Sequence, residues 1–277
     1  MGVDLKPSDF VHLHNHTHHS LLDGLTKIPD LVAQVKEMGM EAVAVTDHGT
    51  MSGAVEFYKA ANDAGIKPII GQEFYVAARS RHDRDPAKDK SRCHLTVLAM
   101  NDQGYHNLMK LSSIANLEGM YYKPRIDHDA IKEYNEGLII LSGCAGSEIG
   151  ERVTMGDYEG AKQIALWYKS IFGDRYYLEM QDHGHPDSPC HWDVQEKINN
   201  FLTELSKEID VPLVVSNDGH YLTLADQDAH DEAVEAEEAR LKEVAKAEAD
   251  AKAAEQAAEE AKLAAKQAEV EARHNEA

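Results

Sequence analysis

The chain is poor in what a secreted or membrane protein needs. Its 277 residues hold three cysteines, Cys93, Cys144 and Cys190, and no CxxC pair. An odd count without paired spacing excludes a disulfide framework and fits a reducing compartment. No signal-peptide pattern opens the sequence, and no apolar run approaches the roughly 20 residues of a membrane span. A cytoplasmic chain with no membrane partner is expected. Positive charge is also scarce, with 28 Lys and Arg against 49 Asp and Glu and a formal net charge of -21. That excludes a general nucleic-acid coat, which needs Lys and Arg to neutralise phosphates. It leaves open a local site where bound dications carry the positive charge.

Another absence is local. Residues 231–277 contain no Gly, Pro or aromatic residue, only Ala, Glu, Lys and a few others. Such a segment reads as a solvated helical or partly disordered appendage, roughly 70 Å long if fully helical. Its branched apolar residues are too sparse for a firm coiled-coil seam. A partner-binding arm is the alternative. The expected division is therefore a domain over 1–230 and a tail over 231–277.

What the chain does have is histidine, 16 in all. The stretch His12-Leu13-His14-Asn15-His16-Thr17-His18-His19-Ser20-Leu21-Leu22-Asp23-Gly24 holds five of them and a carboxylate. It follows a short β-prone run. Imidazoles two apart on leaving a strand point to one side, and imidazole is the commonest protein ligand for a transition metal.

Period-two and β-branched runs place strands at 10–13, 42–46, 68–76, 95–99, 138–141, 176–180 and 213–216. Helical spacing places helices at 28–38, 53–64, 102–115, 158–172 and 194–209. Strands alternating with helices imply parallel strands and crossover helices, an α/β architecture.

Candidate ligands gather at the strand ends. His14, His16 and Asp23 follow the first strand, and Asp47 and His48 the second. Glu73 lies in the third, His94 introduces the fourth, and Cys144 follows the fifth. Asp182 and His183 follow the sixth; Asp218 and His220 follow the last. The carboxyl ends of strands are where α/β folds collect their chemistry. Mixed N, O and S ligands suit Zn, Mn or Fe. Their number exceeds the four positions of one zinc sphere, so two to three divalent metals are implied. Such centres hydrolyse phosphate esters, because the metals activate a water and polarise phosphoryl oxygens.

The stretches HLHNHTHHSLLDG, AVAVTDHGTMSGAVEFYKAANDAGIKPIIGQEFYVA, YYKPRID, EGLIILSGC, ALWYKSIFGDRYYLEMQDHG and SNDGHYL carry a family resemblance over residues 10–230. The chain resembles the PHP (polymerase and histidinol phosphatase) superfamily, most closely the branch at the N-terminus of bacterial DNA polymerase III alpha subunits. The resemblance implies a distorted seven-stranded (β/α) TIM-like barrel with a trinuclear centre. On it, His14, His16 and Asp218 would bind one metal, with Glu73 bridging to a second completed by His94 and Cys144. Asp23, His48 and His220 would hold a third. Asp218, Glu73 and His48 would be central to catalysis. His183 is a further candidate for metal or phosphate contact, and Asp47 for orienting a ligand.

The resemblance further implies 3′–5′ exonuclease action on a DNA 3′ end, in company with other replication proteins. A small-molecule phosphomonoesterase and a non-catalytic, metal-stabilised docking module are the competing readings. A cationic rim for phosphate is sought in Lys123 and Arg125, with Tyr121 and Tyr122 able to stack a base. The basic run from Arg79 to Arg92 reads as a guide for a strand or a solvated loop. Two features depart from the family. His18-His19 stand where it more often has an acidic and an aromatic residue, and they are expected to face solvent. The Ala/Glu/Lys tail stands where a polymerase palm would continue, so polymerase activity is not carried over.

Overall fold

The computed structural model describes residues 6–21, 23–182 and 192–275. It divides into two units, 1–227 and 228–277. In the first, eight strands form one curled, half-barrel sheet with helices packed against it. The strands are β1 (Ala42–Val45), β2 (Lys67–Ala77), β3 (Arg92–Ala99), β4 (Met120–Tyr121), β5 (Lys123–Ile126), β6 (Leu138–Leu141), β7 (Tyr176–Gln181) and β8 (Leu213–Ser216). The helices are α1 (Ile28–Glu37), α2 (Ala54–Ala64), α3 (Asp102–Leu117), α4 (His128–Glu133), α5 (Glu148–Met155), α6 (Tyr158–Phe172), α7 (Trp192–Ile209) and α8 (Gln227–Asn275).

Two expectations change. The sheet is mixed, because β3 runs antiparallel to both β2 and β6. The cause lies in residues 78–91, which form no helix: without a crossover helix the chain turns back beside the strand it has just left. The reversal brings the start of β3, with His94, to the end where the parallel strands finish. The second change is at residues 10–13, which form no strand. This segment passes in an irregular path between β1 and the turn after β8. Ala44 N–H donates to the His12 carbonyl at 2.8 Å, and His16 N–H donates to the Gly219 carbonyl at 2.8 Å. The described residues thus show a curled sheet bridged at one end rather than a closed seven-stranded barrel. The β4–β5 hairpin, α4 and α5 are additional elements; the hairpin is unforeseen because Lys123-Pro124-Arg125 breaks the apolar pattern of a strand.

The alternation of side chains decides which face does what. On β2, Phe74 and Val76 enter the main core, as do Leu95 and Val97 on β3. Glu73 and Thr96, between them, point to the other face, where His14 meets both. A second core joins α1, α2 and β1 through Ile28, Val32, Val43 and Phe57.

Helix ends follow their local chemistry. Asn101, Asp127, Ser147 and Asp157 cap α3, α4, α5 and α6 by accepting from a backbone N–H three residues on. The second unit is the long helix α8, in keeping with its Ala/Glu/Lys composition. Among the described residues no helix is long and apolar enough to cross a membrane.

Candidate metal centre

Glu73 is the hub. It sits inside β2 at 1% exposure, and its oxygens approach five potential ligands. Oε1 lies 3.5 Å from His14 Nε2, 3.1 Å from His94 Nδ1 and 3.8 Å from Cys144 Sγ. Oε2 lies 3.8 Å from His16 Nε2 and in close contact with His48 Nδ1. Asp218 Oδ1 lies 3.2 Å from His14 Nε2 and 3.1 Å from His16 Nε2. His48 Nε2 lies 3.2 Å from Asp23 Oδ2 and 3.4 Å from His220 Nε2. All nine residues expected as ligands therefore fall into one connected cluster.

Their outer hydrogen bonds decide which nitrogens face inward. His14 Nδ1 is 2.7 Å from Glu179 Oε1, so it donates there and turns Nε2 inward, toward Glu73 and Asp218. Ser20 Oγ donates to Asp47 at 2.8 Å and accepts from His16 Nδ1 at 3.0 Å, which turns His16 Nε2 inward in the same way. His220 Nδ1 donates to the Asp218 carbonyl at 2.8 Å. Asp47 acts one step further out: it also accepts from the Thr17 N–H at 2.6 Å and so fixes the loop that carries His16.

The electrostatics are those of a site short of positive charge. Burial, with His48 and His220 close by, pushes His16 down to about 3, so its imidazole is neutral at pH 7. For Asp218, burial works against the charged form, but His14, His16 and His220 outweigh it and hold the carboxyl well below its ordinary value. Glu73 is likewise held low, against its burial, by His94 and His48. Burial would lower His14 and His48 too. Asp218 and Glu179 overcome that at His14 and raise it well above its usual value. Glu73 and Asp23 do the same at His48, raising it to about 10. Burial, then Glu73 and Asp218, push the Cys144 thiol up.

A dication fits this donor set. His14 Nε2, His16 Nε2, His48 Nδ1, Glu73 Oε2, Asp218 Oδ1 and Asp23 Oδ1 are buried atoms with no hydrogen-bond partner among the described residues. Orphaned polar atoms of this kind are rare, and here they converge. Ligand atoms that share a metal at about 2.1 Å lie about 3.0–3.4 Å apart, close to the separations found. Three overlapping groups, His14/His16/Glu73, His48/Glu73/His94 and His16/His48/His220, each bring three such atoms within 4.8 Å of one another. The backbone is bent to serve the cluster: Asp218 has φ +50°, a left-handed conformation that Asp and Asn tolerate best among non-glycine residues.

Two expected positions, Arg125 and Asp182, fall elsewhere. Arg125 is fully buried away from the cluster. Its guanidinium donates to the carbonyls of Gly119, Asp89, Arg81 and Asp83 at 2.9 to 3.1 Å. It pins the 79–92 loop from a fully buried position. Arg79 and Arg81 of that loop are engaged with Asp89 and with Asp127 and Glu118. Asp182 is exposed, and His183 lies outside the described residues. Lys123 does stay near the centre. Its Nζ lies 5.7 Å from the Tyr75 ring centroid, and that ring packs 5.3 Å from His94 and 6.1 Å from His48. Arg92, at the end of the basic run, covers the same ring at 5.5 Å as a second cation.

Glu179 is the residue that motif reading missed. It is fully buried in β7, binds His14, accepts from the Gly143 N–H at 3.1 Å and receives the Ser216 hydroxyl. Gly143 has φ +84°, and a Cβ there would lie 3.0 Å from Ser147 Cβ. The signal is a carboxylate inside a largely apolar strand, Tyr176-Tyr177-Leu178-Glu179, overshadowed by the more conspicuous Asp182 and His183 beyond it. Glu179→Gln is expected to lower divalent-metal affinity about 10–100-fold. Competition titration against a chromogenic chelator measures it, and an unchanged affinity would remove Glu179 from the centre.

The PHP domain family model matches residues 12–183. The chain belongs to the PHP domain family. It is 44% identical over 238 residues to the DNA polymerase III subunit alpha of Deinococcus radiodurans, covering 83% of this chain and 17% of that protein. The Thermus aquaticus subunit is 47% identical over 235 residues, covering 83% and 18%. This PHP chain thus spans about a fifth of the length of the curated relatives it matches. Among solved structures, a two-domain Bacteroides vulgatus protein containing a predicted PHP-like metal-dependent phosphoesterase superposes with TM-score 0.45 at 14% identity, over 76% of this chain and 51% of that one.

Proposed function

We propose that residues 1–230 form a multinuclear metal-dependent phosphoesterase that acts on a DNA 3′ end as a 3′–5′ exonuclease in DNA replication. Residues 231–277 would be an appended helical arm. One observation carries this reading: inward-facing, partnerless ligand atoms converge on Glu73 in a PHP domain. The likeness to polymerase III alpha subunits supports DNA as the substrate class.

His14, His16 and Asp218 would hold one ion, and His94 and Cys144 a second, with Glu73 between them. Asp23, His48 and His220 would hold a third. Zn, Mn or Fe suits this mixture of donors. Bound there, such ions supply an activated water and neutralise phosphoryl oxygens. The chain's own residues do the rest. Glu179 and Ser20 fix the inward lone pairs of His14 and His16. Asp218, Glu73 and His48 set the charge around the reacting phosphate.

Lys123 and Arg92 beside Tyr75 would supply the cationic rim that Arg125 does not. Tyr122, half-exposed beneath Lys90 at 5.4 Å, offers a face for a base. Lys123→Ala is expected to raise KM for DNA about three- to tenfold with kcat and metal content little changed. A steady-state comparison with wild type checks this, and a fall in kcat alone would contradict the role.

The test of function is hydrolysis of 3′-labelled single-stranded DNA and of a chromogenic phosphomonoester, with Mn²⁺ or Zn²⁺ and after chelation. Release of 3′ nucleotides that stops on chelation is expected. Cleavage of the monoester alone would move the substrate to a small molecule. A fully loaded chain that cleaves neither would be a docking module.

A further inference from the structure

His18 and His19 are expected to face solvent; His18 is exposed, whereas His19 is half-buried. We propose that His18, His19 and Glu56 form a separate binding site for a borderline divalent transition ion such as Zn²⁺, one that clips the histidine-rich loop to helix α2.

The loop backbone is fixed before these side chains are considered. Thr17 and Ser20 on either side are bound to Asp47. His18 N–H donates to the Thr26 carbonyl at 2.9 Å, and His19 N–H to Thr17 Oγ1 at 3.2 Å. The His19 ring then rests on Gly53. A Cβ at that position would sit 2.7 Å from His19 Cδ2, so the imidazole reaches α2 only because residue 53 has no side chain. One turn further along, Glu56 Oε2 lies 3.6 Å from His19 Nε2. The His18 ring lies 4.3 Å from that of His19. One ligand atom from each of the three residues falls within 4.8 Å of the other two. None of the three belongs to the groups around Glu73.

Two observations point to an ion rather than a surface salt bridge. His19 Nε2 is buried and has no hydrogen-bond partner among the described residues, although a carboxylate stands beside it. The contact at 3.6 Å is too long for a hydrogen bond. The His18 ring is tilted 38° to that of His19, and a ligand nitrogen of each lies within 4.8 Å of a Glu56 carboxylate oxygen. Two nitrogens and one carboxylate oxygen are the donors of a three-ligand zinc-type site whose fourth position is open to water. Calcium and magnesium, which prefer oxygen, are disfavoured. His16 and Asp23, ligands of the deep centre, flank the pair in sequence, so an ion here would restrain the loop that carries both.

Bound zinc per chain, measured by equilibrium dialysis over rising free zinc, tests the proposal. The variant His18→Asn/His19→Asn/Glu56→Gln is expected to bind one equivalent fewer than wild type and to keep the tight equivalents. Glu73→Gln/Asp218→Asn is expected to lose tight equivalents and keep the one that the loop variant lacks. If the loop variant binds as many as wild type, the proposal is overturned, whatever the deep centre does. Electron paramagnetic resonance of Cu²⁺ added to the zinc-loaded chain reads the ligands directly. Hyperfine structure from two nitrogens is expected in wild type and its loss in the loop variant; identical spectra would overturn the assignment.

Discussion

Asp218→Asn should abolish hydrolysis, with a fall of at least about 10²–10³-fold while the fold is kept. The fold survives because Asn tolerates the left-handed backbone at 218 nearly as well as Asp. The new side chain is also almost the same size. What disappears is the anion whose Oδ1 stands between His14 Nε2 and His16 Nε2. An amide in its place offers at best a neutral oxygen and at worst a donor facing two inward nitrogens. Metal content should fall together with activity. Circular dichroism, metal analysis and the DNA assay on the same preparation separate these effects. An Asp218→Asn chain with wild-type turnover would mean that the centre is elsewhere.

Arg125→Met should have the opposite profile, a large loss of stability with the metal centre left intact. The guanidinium is buried and donates to four backbone carbonyls drawn from the 79–92 loop and from Gly119. Methionine fills much of the volume but satisfies none of those acceptors. Lost charge-assisted bonds and stranded carbonyls should destabilise the chain by about 3 kcal/mol. For a domain of this size that is a fall in Tm of roughly 6–12 °C. Calorimetry with the same bound metal measures it. A Tm within about 2 °C of wild type, together with a raised KM for DNA, would return Arg125 to the phosphate-binding role that its motif first implied.

Arg125 also shows where sequence reading stops. In Tyr-Tyr-Lys-Pro-Arg a basic residue near a strand end looks like a substrate contact. Only the folded path of residues 79–92 shows that its partners are carbonyls from far along the chain. Glu179 shows the same limit from the other side. A buried carboxylate inside β7 has no motif of its own, and its meaning depends on His14, brought to it across 165 positions. Part of the candidate ligand cluster is legible because His48, Cys144, Asp218 and His220 follow strand ends, which periodicity places; Glu73 instead lies inside β2, and His14, His16 and Asp23 follow a segment that forms no strand. His94 sits at the start of its strand. The antiparallel course of β3 explains it, and that course follows from a connection without a helix. The first segment misled in a different way. Its β-prone run suggested a strand, yet its hydrogen bonds are divided between β1 and the turn after β8, and it follows neither edge for long. His18 and His19 carry no such signal in their own stretch; Gly53 and Glu56, far along the sequence, are what bring a helix and a carboxylate to His19.

The central claim is that this PHP domain is built around more than one metal ion. The most direct measurement is the number of divalent ions that stay with the chain after exhaustive desalting. It is best made on the His18→Asn/His19→Asn/Glu56→Gln variant, so that the deep centre is counted alone. Two to three ions per chain are predicted, all removed by a chelator with a fall in Tm. Fewer than two at saturation would contradict a multinuclear centre.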